Sequence, residues 1–486
     1  MTASTADIPG ANLDPQDWSR LRLQGHRMLD DIFDHMQGLR DGPLWRAPPD
    51  RGLSGPPSCL PREPSHLAEV HASFLRDVLP YSSGNAHPGF MGWVQGGGAP
   101  VGMLAEMLAA GLNINAGGRN HMGIEVEREV LGWTREMFGF PKTANGLFVT
   151  GASAANHIGV LVARTRALGS EVRRHGLRGA RLTAYASTAA HGCLARAMEM
   201  TGLGADALRK VPVDAGHQID IGALRAAIER DRALGCTPFL IVGNAGTVDI
   251  GATDDLAALA DLAATENLHF HVDGAFGALG VLSPEIKPRL RGLDRADSLA
   301  FDWHKWGQAP YDAGFSLIRD GALLHATFAA DAAYLQRAPR GLAAGDWWPC
   351  DFGPDLSRGF RALKVWFMLK TYGSAAIGHV VAHSCAMARL LAERVAAVPE
   401  LELLAPVPMN IVNFGWRGNR GDERNAETVM ALHEAGRVAP SLTEINGRKA
   451  IRAAFVNHRT DERDVAALID GVRSLGFGDL IDRAAA

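Results

Sequence analysis

Two residues in this sequence invite a chemical reading, an aspartate that closes one apolar run and a lysine that follows the next. The run LHFHVD ends on Asp273, and Lys305 stands thirty-two positions later (305 minus 273) within FDWHKW. An amine in apolar surroundings is costly as an ammonium, and where it is kept it is suited to attack a carbonyl carbon and form an imine. A carboxylate on a neighbouring strand end can keep a proton on a heterocyclic nitrogen, which makes the ring electron-withdrawing. Singly, Asp273 would read as a turn cap and Lys305 as a surface lysine. Together, with His304 and Trp306 flanking the amine, they favour imine chemistry.

For these groups to meet, several strand ends must converge. Between about residue 100 and residue 320 short apolar runs alternate with longer amphipathic segments, the order that builds a largely parallel sheet with crossover helices. The predicted strands are Gly146 to Thr150, Arg181 to Ser187, Pro238 to Gly243, Leu268 to Asp273, Ser298 to Phe301 and Gly314 to Ile318. Ligands of such sheets gather beyond the carboxyl ends of the strands. Those ends read Gly151-Ala152-Ser153, Ser187 to His191, Asn244 to Thr247, Asp273, and Asp302 to Lys305. In GLFVTGASAANHIGVLVART a strand, a Gly-Ala-Ser turn and a helix present backbone N–H groups and the Ser153 hydroxyl, which suits an anion. Alone, Ser153 would be an ordinary capping serine, His191 a structural histidine and Thr247 a turn former.

Outside this region, Leu21, Leu23, Met28, Leu29, Ile32, Phe33 and Met36 recur at roughly helical spacing, ahead of a Pro- and Gly-rich stretch from Gly42 to Pro64. After Arg358, FRALKVWFMLKTYG leads into a helix running to about Val398, and Val412 to Trp416 and Ile451 to Val456 are the clearest strands of a smaller lobe. The expected organisation is an N-terminal arm and segment over 1–95, a large α/β domain over 96–370 and a small C-terminal domain over 371–486.

The composition is that of an ordinary globular protein. A net charge of −4, from 49 basic and 53 acidic residues spread along the chain, leaves no basic stripe for nucleic acid. Five scattered cysteines, Cys59, Cys193, Cys236, Cys350 and Cys385, show neither zinc-site nor disulfide spacing, so no metal and a reducing, cytoplasmic setting are expected. The polar N-terminus does not read as a signal peptide, and the apolar runs are interrupted before membrane-spanning length, so no membrane partner is expected.

HVDGAFG and ADSLAFDWHKW resemble the group II pyridoxal-phosphate decarboxylases, the family of aromatic-L-amino-acid and glutamate decarboxylases, and the resemblance spans roughly residues 80 to 475. It implies a fold type I transferase-like architecture: a mostly parallel seven-stranded sheet, a smaller C-terminal α/β domain and a helical N-terminal arm. It also implies that Lys305 binds pyridoxal 5'-phosphate as a Schiff base, that Asp273 pairs with the pyridine nitrogen and that Ala275 lets the ring lie close to the backbone. By the same resemblance Ala152, Ser153 and His304 lie at the phosphate, His191 stacks on the ring, and Thr247 contacts the cofactor. The motif His-Gly-Cys after the second strand departs from the family's HSS type. Asp302 stands where animal members carry an asparagine that reaches the phosphate, and because an acid would be repelled there, that contact is not carried over.

The resemblance also marks Tyr334 as the acid that reprotonates Cα, on a mobile loop that closes over the neighbouring subunit's site; a phenylalanine there goes with oxidative deamination to an aldehyde. It implies a homodimer with shared active sites. Arg358 and Arg361, in the helix that follows, read as structural ion-pair formers. The expected reaction is decarboxylation of an amino acid to carbon dioxide and an amine, aromatic substrates ahead of aliphatic and acidic ones, with Phe90 and Trp93 able to face the substrate or to lie in the core. Rival readings are another lyase or a transaminase on the same fold, or a silent binding protein. Borohydride treatment of the cofactor-loaded protein should leave a mass tag on the Lys305 peptide and none in Lys305→Ala; a tag elsewhere, or none, overturns the imine reading.

Overall fold

The computed structural model describes residues 12–49, 60, 61, 63–330, 336–418 and 420–484, with side chains described as far as 475. Two compact units meet at the Gly84–Asn85 boundary of the chain. In the first, α1 (Trp18–Gln37) starts where the Asp17 carboxylate accepts the N–H groups of Ser19 and Arg20. It is joined to α2 (Leu67–Asp77) by the buried His71, which bonds the Gln24 amide at 3.1 Å and lies 3.5 Å from Asp31. Trp18, Leu23 and Met28 of the predicted helical arm stay exposed within this unit.

In the second unit α3 (Pro100–Leu112) and α4 (Met122–Phe138) precede a seven-stranded sheet. Its strands are β1 (Asn145–Val149), β2 (Leu182–Ser187), β3 (Leu208–Val211), β4 (Thr237–Asn244), β5 (His269–Asp273), β6 (Ser298–Asp302) and β7 (Gly314–Ile318), in the order β1-β7-β6-β5-β4-β2-β3. Only β7 runs antiparallel to its neighbours; the other pairs are parallel. The alternating pattern predicts a largely parallel sheet, and its seven strands are those the resemblance implies. All of β2, β5, β6 and β7 is buried, as expected for strands covered on both faces. The first helix after the sheet begins, α5 (Ala152–Leu168), lies across β6 and β7.

A second, antiparallel sheet follows, β8 (Leu401–Leu403), β9 (Ile411–Trp416), β10 (Ser441–Ile445) and β11 (Arg448–Ala454), ordered β10-β11-β9-β8. The six predicted strands of the large sheet match observed ones within two residues at each end. β3 escapes because LRKV is four residues long, half of them charged, at the sheet edge. β8 and β10 escape for similar reasons, one being three residues long and the other reading SLTEI.

The helix Arg361–Ala396 is long and apolar enough to cross a membrane by length and composition. It is nevertheless interrupted at Gly373, whose φ of 75° and ψ of 159° is a conformation that favours glycine, and Leu363, Val365, Val381 and Leu391 on it are buried in the protein core.

Near the start of that helix Arg358 forms a fully buried bidentate pair with Glu127 of α4, at 2.6 and 3.1 Å. Its guanidinium also donates to the carbonyls of Ala116 and Phe148, while Glu127 accepts the Phe148 N–H. Arg361 pairs with Asp312 at 2.6 Å. Both arginines thus do the structural work expected of them. Because each buried charge of the first pair is compensated by the other, Glu127→Gln should strand the guanidinium and cost about 3–5 kcal/mol, read as a lowered urea midpoint. A change below about 0.5 kcal/mol would show that the pair adds nothing.

Candidate active site

The carboxyl ends of β1, β4, β5 and β6 and the segment after β2 open onto one cavity of about 410 Å³. Ala152, Ser153, His191, Asp273, Ala275, His304 and Lys305 all line it. Thr247 does not line it. The Thr247 hydroxyl accepts the Ala252 N–H at 3.0 Å and closes the 247–252 turn. Tyr334 lies outside the described residues. Phe90 is core, 4% exposed, whereas Trp93 lines the cavity.

Lys305 sits in the turn after β6, its ammonium nitrogen 3.0 Å from Asp302 Oδ2. The other oxygen of Asp302 accepts the Ala152 N–H at 2.7 Å, so an acid from β6 caps the start of α5, whose own N-cap residue, Gly151, has no side chain to do so. Sequence reasoning sees at Asp302 only an acid near an anion site; its partners, a helix terminus and an ammonium, come from the fold. His304 accepts the Ala313 N–H at Nδ1, which leaves Nε2 to carry the proton, 3.5 Å from Asp302. Burial lowers the pKa of this imidazole, although Asp302 opposes the shift. The Tyr311 ring lies 4.3 Å from that of His304, and its hydroxyl is pushed up to about 12 by burial and by Asp302.

Asp273 ends β5 and is 5% exposed. Burial raises its pKa, against the opposing influence of Lys305 and His191, the Ala275 N–H and the Asn156 amide. Its direct bond from Ala275 is long, 3.2 Å. His191 accepts the Cys193 N–H at Nδ1, 3.2 Å away, so its Nε2 is the protonated nitrogen when the ring is neutral. In the His-Gly-Cys departure, the Cys193 thiol points back to α5, receiving the Asn156 amide at 3.3 Å, and burial pushes it up to about 12, so it stays a thiol.

The segment Gln95-Gly96-Gly97-Gly98 is glycine-rich for a steric reason. A Cβ on Gly96 would stand 2.3 Å from the His304 carbonyl oxygen, and one on Gly97 would stand 2.5 Å from the Asn457 side chain. Gln308 holds this arrangement: it accepts the Gly97 N–H and donates to the carbonyls of Lys305 and Val456. No local signal marks Gln308, since Gly97 and Val456 lie in two distant segments.

The sequence profile described as the pyridoxal-dependent decarboxylase conserved domain matches residues 49–417, most of the chain. This chain belongs to the pyridoxal-dependent decarboxylase family. A relative from Bacillus atrophaeus, described as an aromatic-L-amino-acid decarboxylase, is 30% identical over 469 residues, 94% of this chain and 95% of that protein. A phenylacetaldehyde synthase from Arabidopsis thaliana is 27% identical over 94% of this chain and 96% of its own length. The fold matches the solved structure of Oryza sativa TDC with PLP and tryptamine, TM-score 0.86, at 22% identity over 96% of this chain and 99% of that one.

The residues present fit the cofactor of this family, pyridoxal phosphate. The deciding observation is Asp273: a carboxylate buried with no ion pair among the described residues is what a protonated ring nitrogen would satisfy. Lys305 would hold the cofactor covalently, the start of α5 at Ala152 and Ser153 suits its phosphate, and His191 and Ala275 would flank the ring. When bound, the cofactor supplies the electron sink for a bond broken at the substrate Cα. The protein's part would be to fix the ring's protonation at Asp273.

The burial of Asp273 has a consequence for stability. Its folded pKa is raised above the unfolded value, so its burial penalty is absent at low pH and grows as pH rises past the usual carboxylate range. The apoenzyme of Asp273→Asn should therefore melt at a higher temperature than wild type at pH 7, the advantage fading toward about pH 4. The same change should cost about 100-fold or more in kcat. An apoenzyme that is less stable at pH 7 would contradict the account.

Proposed function

We propose that this decarboxylase acts on an aromatic L-amino acid, breaking the bond between Cα and the carboxylate, placing a proton on Cα, and releasing carbon dioxide and the amine. The observation that carries the choice of substrate is the aromatic lining of the cavity. Trp93, Phe276 and Tyr311 share it with Lys305 and Asp273. Trp93 is 55% exposed at a φ of 50°, a backbone state uncommon for a bulky residue, and such states cluster at functional sites. Flat rings offer a substrate ring stacking and edge contacts beyond simple burial. The name of the Bacillus atrophaeus relative supports the same class.

The phenylacetaldehyde synthase relative raises the alternative outcome, an aldehyde. Tyr334, by the resemblance stated above, favours plain decarboxylation, in which no oxidant is consumed. We further infer a homodimer with active sites shared between subunits, supported by the exposed Trp18, Leu23 and Met28 on α1. The free thiols of Cys193, Cys236, Cys350 and Cys385 support a reducing, cytoplasmic setting.

A panel of amino acids, assayed for carbon dioxide with added pyridoxal phosphate, tests the reading. Tryptophan, tyrosine or phenylalanine should give the highest kcat/KM, with one amine per carbon dioxide and no aldehyde. Trp93→Ala should raise KM for the aromatic substrate about tenfold. Faster turnover of glutamate or an aliphatic amino acid would overturn the substrate class, keto acid or aldehyde products would overturn the reaction, and absence of turnover across the panel would favour a silent binding protein.

A further inference from the structure

β5 carries His269, His271 and Asp273 at alternate positions, so all three project from one face of the strand. Both imidazoles are buried, and burial lowers each to about 3. They belong to one connected line of hydrogen bonds. His269 Nε2 lies 2.7 Å from Ser298 Oγ, and Ser298 Oγ lies 2.7 Å from His271 Nδ1. His271 Nε2 lies 2.7 Å from Asn156 Oδ1 on α5. The Asn156 amide nitrogen donates to Cys193 Sγ at 3.3 Å, and Asn156 lines the same cavity as Asp273, whose pKa it lowers. Gly159, one turn further along α5, makes room for the line, since a Cβ there would stand 2.6 Å from the His271 ring.

The acid sets the direction of every donor. A carboxylate only accepts, so Asn156 must turn its NH₂ toward Asp273 and its oxygen toward His271. His271 must then carry its proton on Nε2, and its bare Nδ1 accepts the Ser298 hydroxyl proton. With that proton committed, His269 Nε2 must donate to Ser298. This leaves His269 Nδ1 as a buried acceptor with no partner among the described residues.

We propose that this line of neutral groups positions Asp273, with Asn156 and His271 as positioning residues that keep its carboxylate ionised and aimed at the cofactor ring nitrogen. Each bond polarises the next toward the acid, which offsets part of the burial penalty without adding a buried charge. The proposal depends on pyridoxal phosphate as the cofactor, and not on which amino acid is the substrate.

The test loads the holoenzyme with nitrogen-15-labelled pyridoxal phosphate and reads the ring nitrogen by NMR, alongside a cofactor titration. Wild type should show a protonated ring nitrogen at neutral pH. In Asn156→Ala and His271→Phe that nitrogen should titrate about one pK unit lower, with cofactor binding weakened about tenfold, and Ser298→Ala should show a smaller change of the same sign. A merely structural role would lower the melting temperature and leave the ring nitrogen unmoved; that result in folded Asn156→Ala overturns the proposal. Wild-type protein with labelled histidine gives a check that needs no variant beyond those used to assign signals. His269 and His271 should both be neutral Nε2–H tautomers from about pH 5 to pH 9, and an Nδ1–H tautomer or an imidazolium at either overturns it. Failure of the aromatic substrate panel would leave both measurements standing.

Discussion

The structure of this site depends on a carboxylate taken out of water and left, among the described residues, without a direct ion pair. Asp273 is held at the end of a strand buried on both faces, where a charge is expensive unless something answers it. Lys305 and His191 help at a distance, and the Ala275 N–H bond is weak at 3.2 Å. The arrangement is poised to accept a cation in the plane of a ring. Such a carboxylate would favour the protonated form of a ring nitrogen placed against it.

A second acid solves a different problem. Asp302 is at least as buried as Asp273, yet it has two close partners, the Ala152 N–H at the positive end of α5 and the Lys305 ammonium. The two acids stand at the ends of adjacent parallel strands, β5 and β6, and differ in what surrounds them. One is answered by partners within the protein, while the other would be answered by a bound cofactor. Environment, not residue type, separates their roles.

Much of this was legible in the sequence because the chemistry constrains residue type. Asp273 and Lys305 stand out as costly residues in apolar surroundings, and the strand ends that must carry them follow from alternating runs and helices. Asp302 was visible only as a repulsion, since the helix terminus that it caps is 150 residues away in the chain. Gln308 was invisible for the same reason, its worth lying in contacts with Gly97, Val456 and His458. Phe90 could not be told from Trp93, both being aromatic in one short segment, until packing put the first in the core and the second on the cavity. The period-two spacing in HFHVD was the overlooked signal: three polar residues on one face of a fully buried strand must answer one another's hydrogen bonds.

The division between fixed and movable parts follows the chemistry. Asp273 and the line behind it sit on strands and inside α5, where a rotation would break several buried hydrogen bonds at once. His191 and Ser153, which would meet a cofactor, are exposed at the starts of helices, and the Lys305 side chain is 20% exposed. Lys305 combines both demands. Its carbonyl is gripped by the Gln308 backbone N–H at 3.0 Å and side-chain amide at 3.1 Å, so the backbone is pinned while the long side chain stays able to swing. A lysine that would hold the cofactor covalently and yield it to an incoming amino acid needs that combination: a loose anchor would lose the amine's place, and a rigid side chain would not release it.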